Sequence, residues 1–447
     1  MIGLFGKNIL KFGRIQTLNT GKYSALNLMN TSLNKNIPRN YIRMTKQDAV
    51  QIPSVEEATK YQQDFKLDET VTNPVHDLVK AGKEKLIGSW LLLTAAGVFG
   101  MIVLGGYTRL TQSGLSMTKW KPIDYKLPTT QEEWEKEFDN YKKYPEFQLV
   151  NKNMDLNGFK KIFFVEWAHR LWGSSLGILF GVPLLGFTAL GWLKKPIFFR
   201  LTAMLGLGGL QGLIGWWMVK SGFEQKPDYQ TKPRVSVYRL FTHLNMAIVL
   251  YGALLWNGLT LIRKPQQQAL QLTHLAGTKT MRGLGIGLLH FVALNIMSGA
   301  IVAGIDAGKG FNTWPDMNGQ MIPDGLMKRD PWYLNFFENR VLVQFNHRNC
   351  AYLTTSWTGY MLYKSLSLNL AKHQRFQIIL LSFFVLYQIV SGISVLLRGA
   401  PPKESSGHQA TALMTVTVAL LTVHSFRKPS KQYLNYVQKF IQSQKTV

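Results

Sequence analysis

From residue 86 onward the chain is a succession of apolar runs separated by polar connections, and each run comes near the ~20 residues that a helix needs to cross a bilayer. The runs lie at about 86–108, 163–193, 198–219, 237–262, 283–305, 340–363, 376–398 and 406–426. The pattern predicts an all-α membrane protein with eight transmembrane helices. Polar residues of mixed charge fill positions 48–84, which read as a short extramembrane segment.

Charge between the runs sets an orientation. Segments 194–200, 263–282, 364–375 and 427–447 hold 3, 4, 3 and 5 Lys or Arg and no Asp or Glu, whereas the other connections are mixed in sign. These basic segments follow helices 2, 4, 6 and 8, so the positive-inside rule places them and both termini on the inner side. The first 47 residues carry eight Lys or Arg, many Asn, Ser and Thr, and no acid before Asp48. That is the make-up of a mitochondrial transit peptide, which makes the inner side the matrix and the membrane the mitochondrial inner membrane. A basic tail on a bacterial protein is the alternative. The expected organisation is a transit peptide (1–47), a matrix-side segment (48–84), an N-terminal four-helix half (85–265), a matrix linker (266–280), a C-terminal four-helix half (281–427) and a matrix tail (428–447).

Composition narrows the chemistry. The 447 residues carry 51 Lys plus Arg against 25 Asp plus Glu, yet 46% are apolar and 17% charged, so the excess charge sits outside a large apolar portion. A nucleic-acid binder would be less apolar, with its charge clustered in a folded patch. The 39 glycines suit close packing of membrane helices. With one cysteine, Cys350, neither an intramolecular disulfide nor a thiolate zinc site can form, so any metal chemistry rests on the nine histidines.

An internal repeat singles out four of these. Glu166-Trp-Ala-His169-Arg170 in helix 2 returns as Gln344-Phe-Asn-His347-Arg348 in helix 6, 178 residues later, and Gln211, Gly215 and Gly222 return as Gln388, Gly392 and Gly399 at an offset of 177. Helices 4 and 8 each add a histidine near their outer ends, His243 and His408. Gly105, Gly106, Gly114 and Trp120 match Gly304, Gly308, Gly310 and Trp314 only with gaps. The expected architecture is two duplicated four-helix bundles in parallel orientation. All four histidines fall within about two turns of the outer entrance, at one membrane level. Two imidazoles facing each other across a bundle can take both axial positions of a heme iron, one heme per half.

Plainer readings stand beside these. A single intramembrane histidine usually bonds a neighbouring helix, the reading for His290; His76, His274, His373 and His424 lie in loops or at a helix end and read as solvated. Arg170, Arg348 and Arg109 either pair with heme propionates or snorkel toward the interface. Glu166 either handles a proton or forms a salt bridge with Arg170 one turn away. A di-iron site fails on ligand count, since the second copy of Glu166 is Gln344.

The segment Gly105-Gly-Tyr-Thr-Arg109-Leu-Thr-Gln-Ser-Gly114-Leu-Ser-Met-Thr-Lys-Trp120, with Glu166-Trp-Ala-His169-Arg170, His243, Asn312-Thr-Trp-Pro315, Val343-Gln-Phe-Asn-His347-Arg348 and His408, resembles the mitochondrial form of the heme A synthase family. The resemblance covers about residues 86–426. It implies oxidation of the C8 methyl of heme O to the formyl group of heme A, for assembly of cytochrome c oxidase. It also implies that His347 and His408 ligate a heme b cofactor, while His169 and His243 embrace the substrate heme. A ferredoxin-type electron partner, heme O synthase, oxidase assembly factors and a homo-oligomer are the partners it brings, with inner-membrane lipid and no nucleic acid. Some bacterial relatives carry a cysteine pair in an outward loop; this chain lacks it.

The residues suggest the same division of labour. Glu166 can exchange a proton where Gln344 cannot, and a methyl-to-aldehyde oxidation must lose protons, so the N-terminal half suits chemistry and the C-terminal half electron transfer. An iron with two histidine ligands has no open site, so either His169 or His243 is labile or electrons leave through the macrocycle. The alternatives are a two-heme cytochrome b that only passes electrons, whose hemes would sit at different depths, and a transporter, which would carry charges near the midplane.

Overall fold

The computed structural model describes residues 74–120, 126–224, 234–263, 275–368 and 370–427, with isolated positions 435, 439 and 442. The transit-peptide reading and most of the matrix-side segment, the linker and the tail therefore lie outside the described residues. Eight long helices follow one another: α1 (Glu84–Leu110), α2 (Leu156–Ala189), α3 (Lys195–Phe223), α4 (Val237–Ile262), α5 (Leu275–Gly304), α6 (Arg340–Ser367), α7 (Lys372–Leu397) and α8 (Pro402–Ser425). Among the described residues there is no strand beyond isolated bridges.

The helices extend past the apolar runs because their end turns are polar. Asp155 accepts from Gly158 N at 2.8 Å and caps α2 seven residues ahead of its apolar stretch. Asn339 caps α6 in the same way through Val341 N at 3.0 Å. Prolines open α3 and α8, where the missing N–H costs nothing. By length and composition six helices can cross a membrane: α1, α2, α3, α4, α7 and the Thr278–Gly304 part of α5. The expected eight are thus six by that measure. Polar side chains such as Gln344, Asn346, Arg348 and Asn349 in α6, and Lys403, Glu404, Ser405 and Gln409 in α8, keep these two out.

The most extensive packing joins α1 to α4, α5 to α6 and α7 to α8, and α8 also packs on α1. One buried core, including Leu91, Leu254, Leu288 and Leu413, runs through both sets of four helices. Hydrogen bonds tie them together: Gln409 donates to the Ile102 carbonyl at 3.2 Å, and Tyr251 meets Thr417 at 2.6 Å. Gly106 makes the first possible, since any side chain there would occupy the place of the Gln409 amide. The connection from α1 to α2 carries two short helices, Gln131–Lys142 and Pro145–Leu149. An aromatic cluster of Phe138, Tyr141, Phe159 and Phe163 docks it on the first turns of α2.

Candidate functional site

Each of the four repeated histidines is on an even-numbered helix, and its ring points Cε1 at a glycine of the helix before. A Cβ built on Gly105 would stand 2.8 Å from Cε1 of His169; the matching distances are 2.9 Å for Gly215 and His243, 3.1 Å for Gly299 and His347, and 2.9 Å for Gly392 and His408. Only glycine admits an imidazole this close to the backbone, so the glycines fix where the rings sit. The pattern corrects one detail of the repeat: the counterpart of Gly105 is Gly299, not Gly304. His169 lies 13 residues into α2, nearly four turns rather than two, because the Asp155 cap starts that helix early.

The repeated flanking residues hold loops. Glu166 is 2% exposed. Its carboxylate accepts from Ser116 Oγ and Met117 N, both at 2.7 Å, and from Arg170, which also donates to the carbonyls of Met117 (3.1 Å) and Lys119 (3.0 Å). In the other copy Gln344 donates to the carbonyls of Ala307 (3.1 Å) and Gly310 (2.7 Å), and Arg348 to those of Phe311 (2.8 Å) and Asp316 (2.7 Å). Both pairs staple the segment that follows the preceding odd helix. One segment presents donors and the other acceptors, which gives Glu166 and Gln344 a structural reason to differ. The salt-bridge reading of Glu166 is therefore present in the structure.

All four histidines line one cavity of about 1360 Å³, together with Glu166, Arg170, Arg348, Arg109 and Gln344. His169 and His243 are within electrostatic reach of each other, as are His347 and His408. Arg109 donates to the Gly304 carbonyl at 3.1 Å, and its buried Nε, like that of Arg348, has no hydrogen-bond partner. Asp306, just beyond α5, is pushed upward by its own burial, but Arg109, Lys309 and Arg234 together outweigh this and hold its carboxyl below the usual range.

A cavity-lining carboxyl that sequence reasoning missed is Glu146, 6% exposed, which accepts from Tyr141 Oη at 3.1 Å. It belongs to a stretch crowded with Asp and Glu, where nothing in the order of residues marks one as buried. Burial raises its pKa from 4.5 to about 8; the Tyr141 hydrogen bond opposes this, the nearby Glu166 adds to it and Arg109 opposes it. The folded state therefore holds this proton more tightly than the unfolded chain does. The stabilisation is complete below about pH 4.5 and is lost as pH rises through about 8. Thermal unfolding of Glu146→Gln should thus decline less between pH 5 and 8 than that of the parent protein; parallel declines would refute the assignment.

Two other histidine expectations change. His290 is exposed and bonds the Ile286 carbonyl of its own helix at 2.8 Å, not a neighbouring one. His424, expected in solvent at a helix end, is 1% exposed, because Arg263 after α4 and Arg427 after α8 converge on it at 3.2 and 3.1 Å. His373 is exposed as expected, while the His76 side chain and His274 lie outside the described residues.

Comparison with known proteins agrees with this geometry. The profile of a family described as cytochrome oxidase assembly protein, COX15-CtaA, matches residues 88–420. The chain is 41% identical over 360 residues to the heme A synthase COX15 of Arabidopsis thaliana, covering 80% of this chain and 79% of that protein. It is 40% identical over 349 residues to the Homo sapiens protein of the same name, covering 78% and 84%. The heme A synthase of Parvibaculum lavamentivorans is 40% identical over 349 residues, covering 76% and 94%. With the matched segment spanning every helix that bears a repeated histidine, the chain belongs to the COX15-CtaA family of cytochrome oxidase assembly proteins.

Proposed function

We infer that this chain is a heme A synthase, oxidising the C8 methyl of heme O to the formyl group of heme A for cytochrome c oxidase. The observation that carries the reading is the single cavity of about 1360 Å³ onto which two histidine pairs open from repeated positions. This exceeds the roughly 300–1,000 Å³ of ordinary small-molecule pockets, in keeping with more than one macrocycle. A heme would be held here by imidazole nitrogens, which paired histidines can supply. The chain fits that demand: no group of three or more His, Cys, Asp or Glu among the described residues is arranged to hold a bare metal ion, whereas paired imidazoles are at hand.

His347 and His408 would hold heme b, and His169 and His243 would receive heme O. Heme b, when bound, supplies one-electron transfer beside the substrate. Glu166 takes up a proton or steadies positive charge at the substrate side, and the partnerless Nε atoms of Arg109 and Arg348 offer donors to propionates. Arg170, with its donors engaged by Glu166 and two carbonyls, orients the loop over the substrate. A ferredoxin-type electron partner, contact with heme O synthase and assembly factors, and a homo-oligomer complete the reading. A cytochrome that only passes electrons is less well supported, because both pairs open on one cavity.

Extraction and chromatography of the hemes from purified protein should yield heme b together with heme O or heme A; heme b alone would sink the synthase reading. The fold is read as eight spans in two parallel halves of the mitochondrial inner membrane, both termini in the matrix, on the strength of the acid-free basic segments such as 364–375 and 427–447. A C-terminal tag should accordingly survive protease added to mitochondria whose outer membrane alone is ruptured, and its cleavage would overturn the orientation.

A further inference from the structure

The four glycine–histidine contacts look alike until the residue before each glycine is considered. In the C-terminal half it is serine both times, Ser298-Gly299 and Ser391-Gly392; in the N-terminal half it is aliphatic both times, Leu104-Gly105 and Ile214-Gly215. Ser298 Oγ stands 2.8 Å from Nδ1 of His347, and Ser391 Oγ 2.8 Å from Nδ1 of His408. Among the described residues no side chain bonds the buried Nδ1 of His169 or of His243, although the Gln211 backbone stands close to the His243 ring.

The serines also favour one tautomer. Ser298 donates its hydroxyl proton to the Asn295 carbonyl at 2.8 Å, and Ser391 to that of Gln388 at 3.1 Å. With each hydroxyl proton directed to its carbonyl the oxygen accepts, which favours N–H at Nδ1 of His347 and His408 and leaves Nε2 as the acceptor. Gln388 agrees with this, since its amide nitrogen, a donor, lies 3.1 Å from Nε2 of His408. It also donates to the His408 carbonyl at 3.1 Å, as Gln211 does to that of His243 at 2.9 Å. The repeat therefore keeps the backbone link in both halves and drops the hydroxyl beside the imidazole. A ligating imidazole whose second nitrogen donates to a fixed oxygen is held in orientation and is a stronger donor; one without that bond is placed by its glycine alone and is a weaker donor.

We propose that Ser298 and Ser391 are positioning residues that retain the resident heme through Nδ1 of His347 and His408, and that Leu104 and Ile214 leave His169 and His243 loosely held so that the substrate heme can enter and leave. The proposal rests on the assignment of heme b to the C-terminal half. One half of the duplicated bundle is built to keep its heme and the other to exchange it.

The test uses the full-length, heme-loaded protein and apomyoglobin as the heme acceptor. The double variant Ser298→Ala, Ser391→Ala should pass heme b to apomyoglobin about 10- to 100-fold faster than the parent protein. Its heme b midpoint potential should rise, because the ligands donate less. Serine-to-threonine variants, which keep the hydroxyl, should restore both readouts; a merely structural role would not move the potential. The reciprocal pair Leu104→Ser, Ile214→Ser should slow the release of heme O and heme A. Unchanged heme b transfer and potential in the alanine double variant would overturn the proposal directly. Faster loss of heme O or heme A in place of heme b would overturn it differently, by showing that the halves are assigned the wrong way round.

Discussion

Alanine at His347 or at His408 is expected to abolish the low-spin bis-imidazole heme b spectrum of the purified protein, while alanine at His290 leaves it intact. On the proposed pairing, either of the first two would remove a heme ligand and leave only a glycine backbone and a serine hydroxyl in its place. His290 is the matched control, on a helix of the same half but exposed and bonded to its own backbone. An unchanged spectrum in either ligand variant would mean that the pairing is wrong.

The second large effect is expected at Glu166. Glutamine there keeps an oxygen for Ser116 and Met117 but turns an amide toward Arg170, and it has no titratable proton. If the carboxylate takes part in the oxidation, heme A yield per bound heme should fall by about 10²- to 10⁴-fold, with heme O or its hydroxylated intermediate accumulating. If it only anchors the loop, the variant should lose heme occupancy or stability instead. An uncompensated buried charge costs about 3–5 kcal/mol, a cost eased here by the Met117 and Lys119 carbonyls that Arg170 already engages. Heme content, thermal stability and heme A yield measured on one preparation separate these outcomes, and normal activity per heme would sink the catalytic role.

How much of this was legible in the sequence depended on whether the feature was periodic or converging. The apolar runs located all eight helices, and α4 ends where its run does; α2 and α5 begin earlier because polar first turns carry no apolar signal. The four histidines stood out because duplication repeated them. The glycines beneath their rings did not, since which glycine faces which ring depends on helix rotation, and gapped matching put Gly304 where Gly299 belongs. Glu146 and His424 were illegible for a related reason: each is buried by side chains that arrive from distant segments. Ser298 and Ser391 could be recognised only once the Nδ1 atoms beside them had been located.

The two helices too polar to cross a membrane on their own composition, α6 and α8, are the ones that bear His347 and His408. Insertion machinery that sorts segments by apolarity would accept α5 and α7 unaided. It would take in α6 and α8 only as the second arms of hairpins, the burden of Arg348 or Glu404 being offset by an apolar first arm. Those first arms are the helices that carry Ser298 and Ser391 and against which α6 and α8 pack most extensively. On the proposed assignment, neither His347 nor His408 would enter the bilayer before the serine hydroxyl that stands beside its ring.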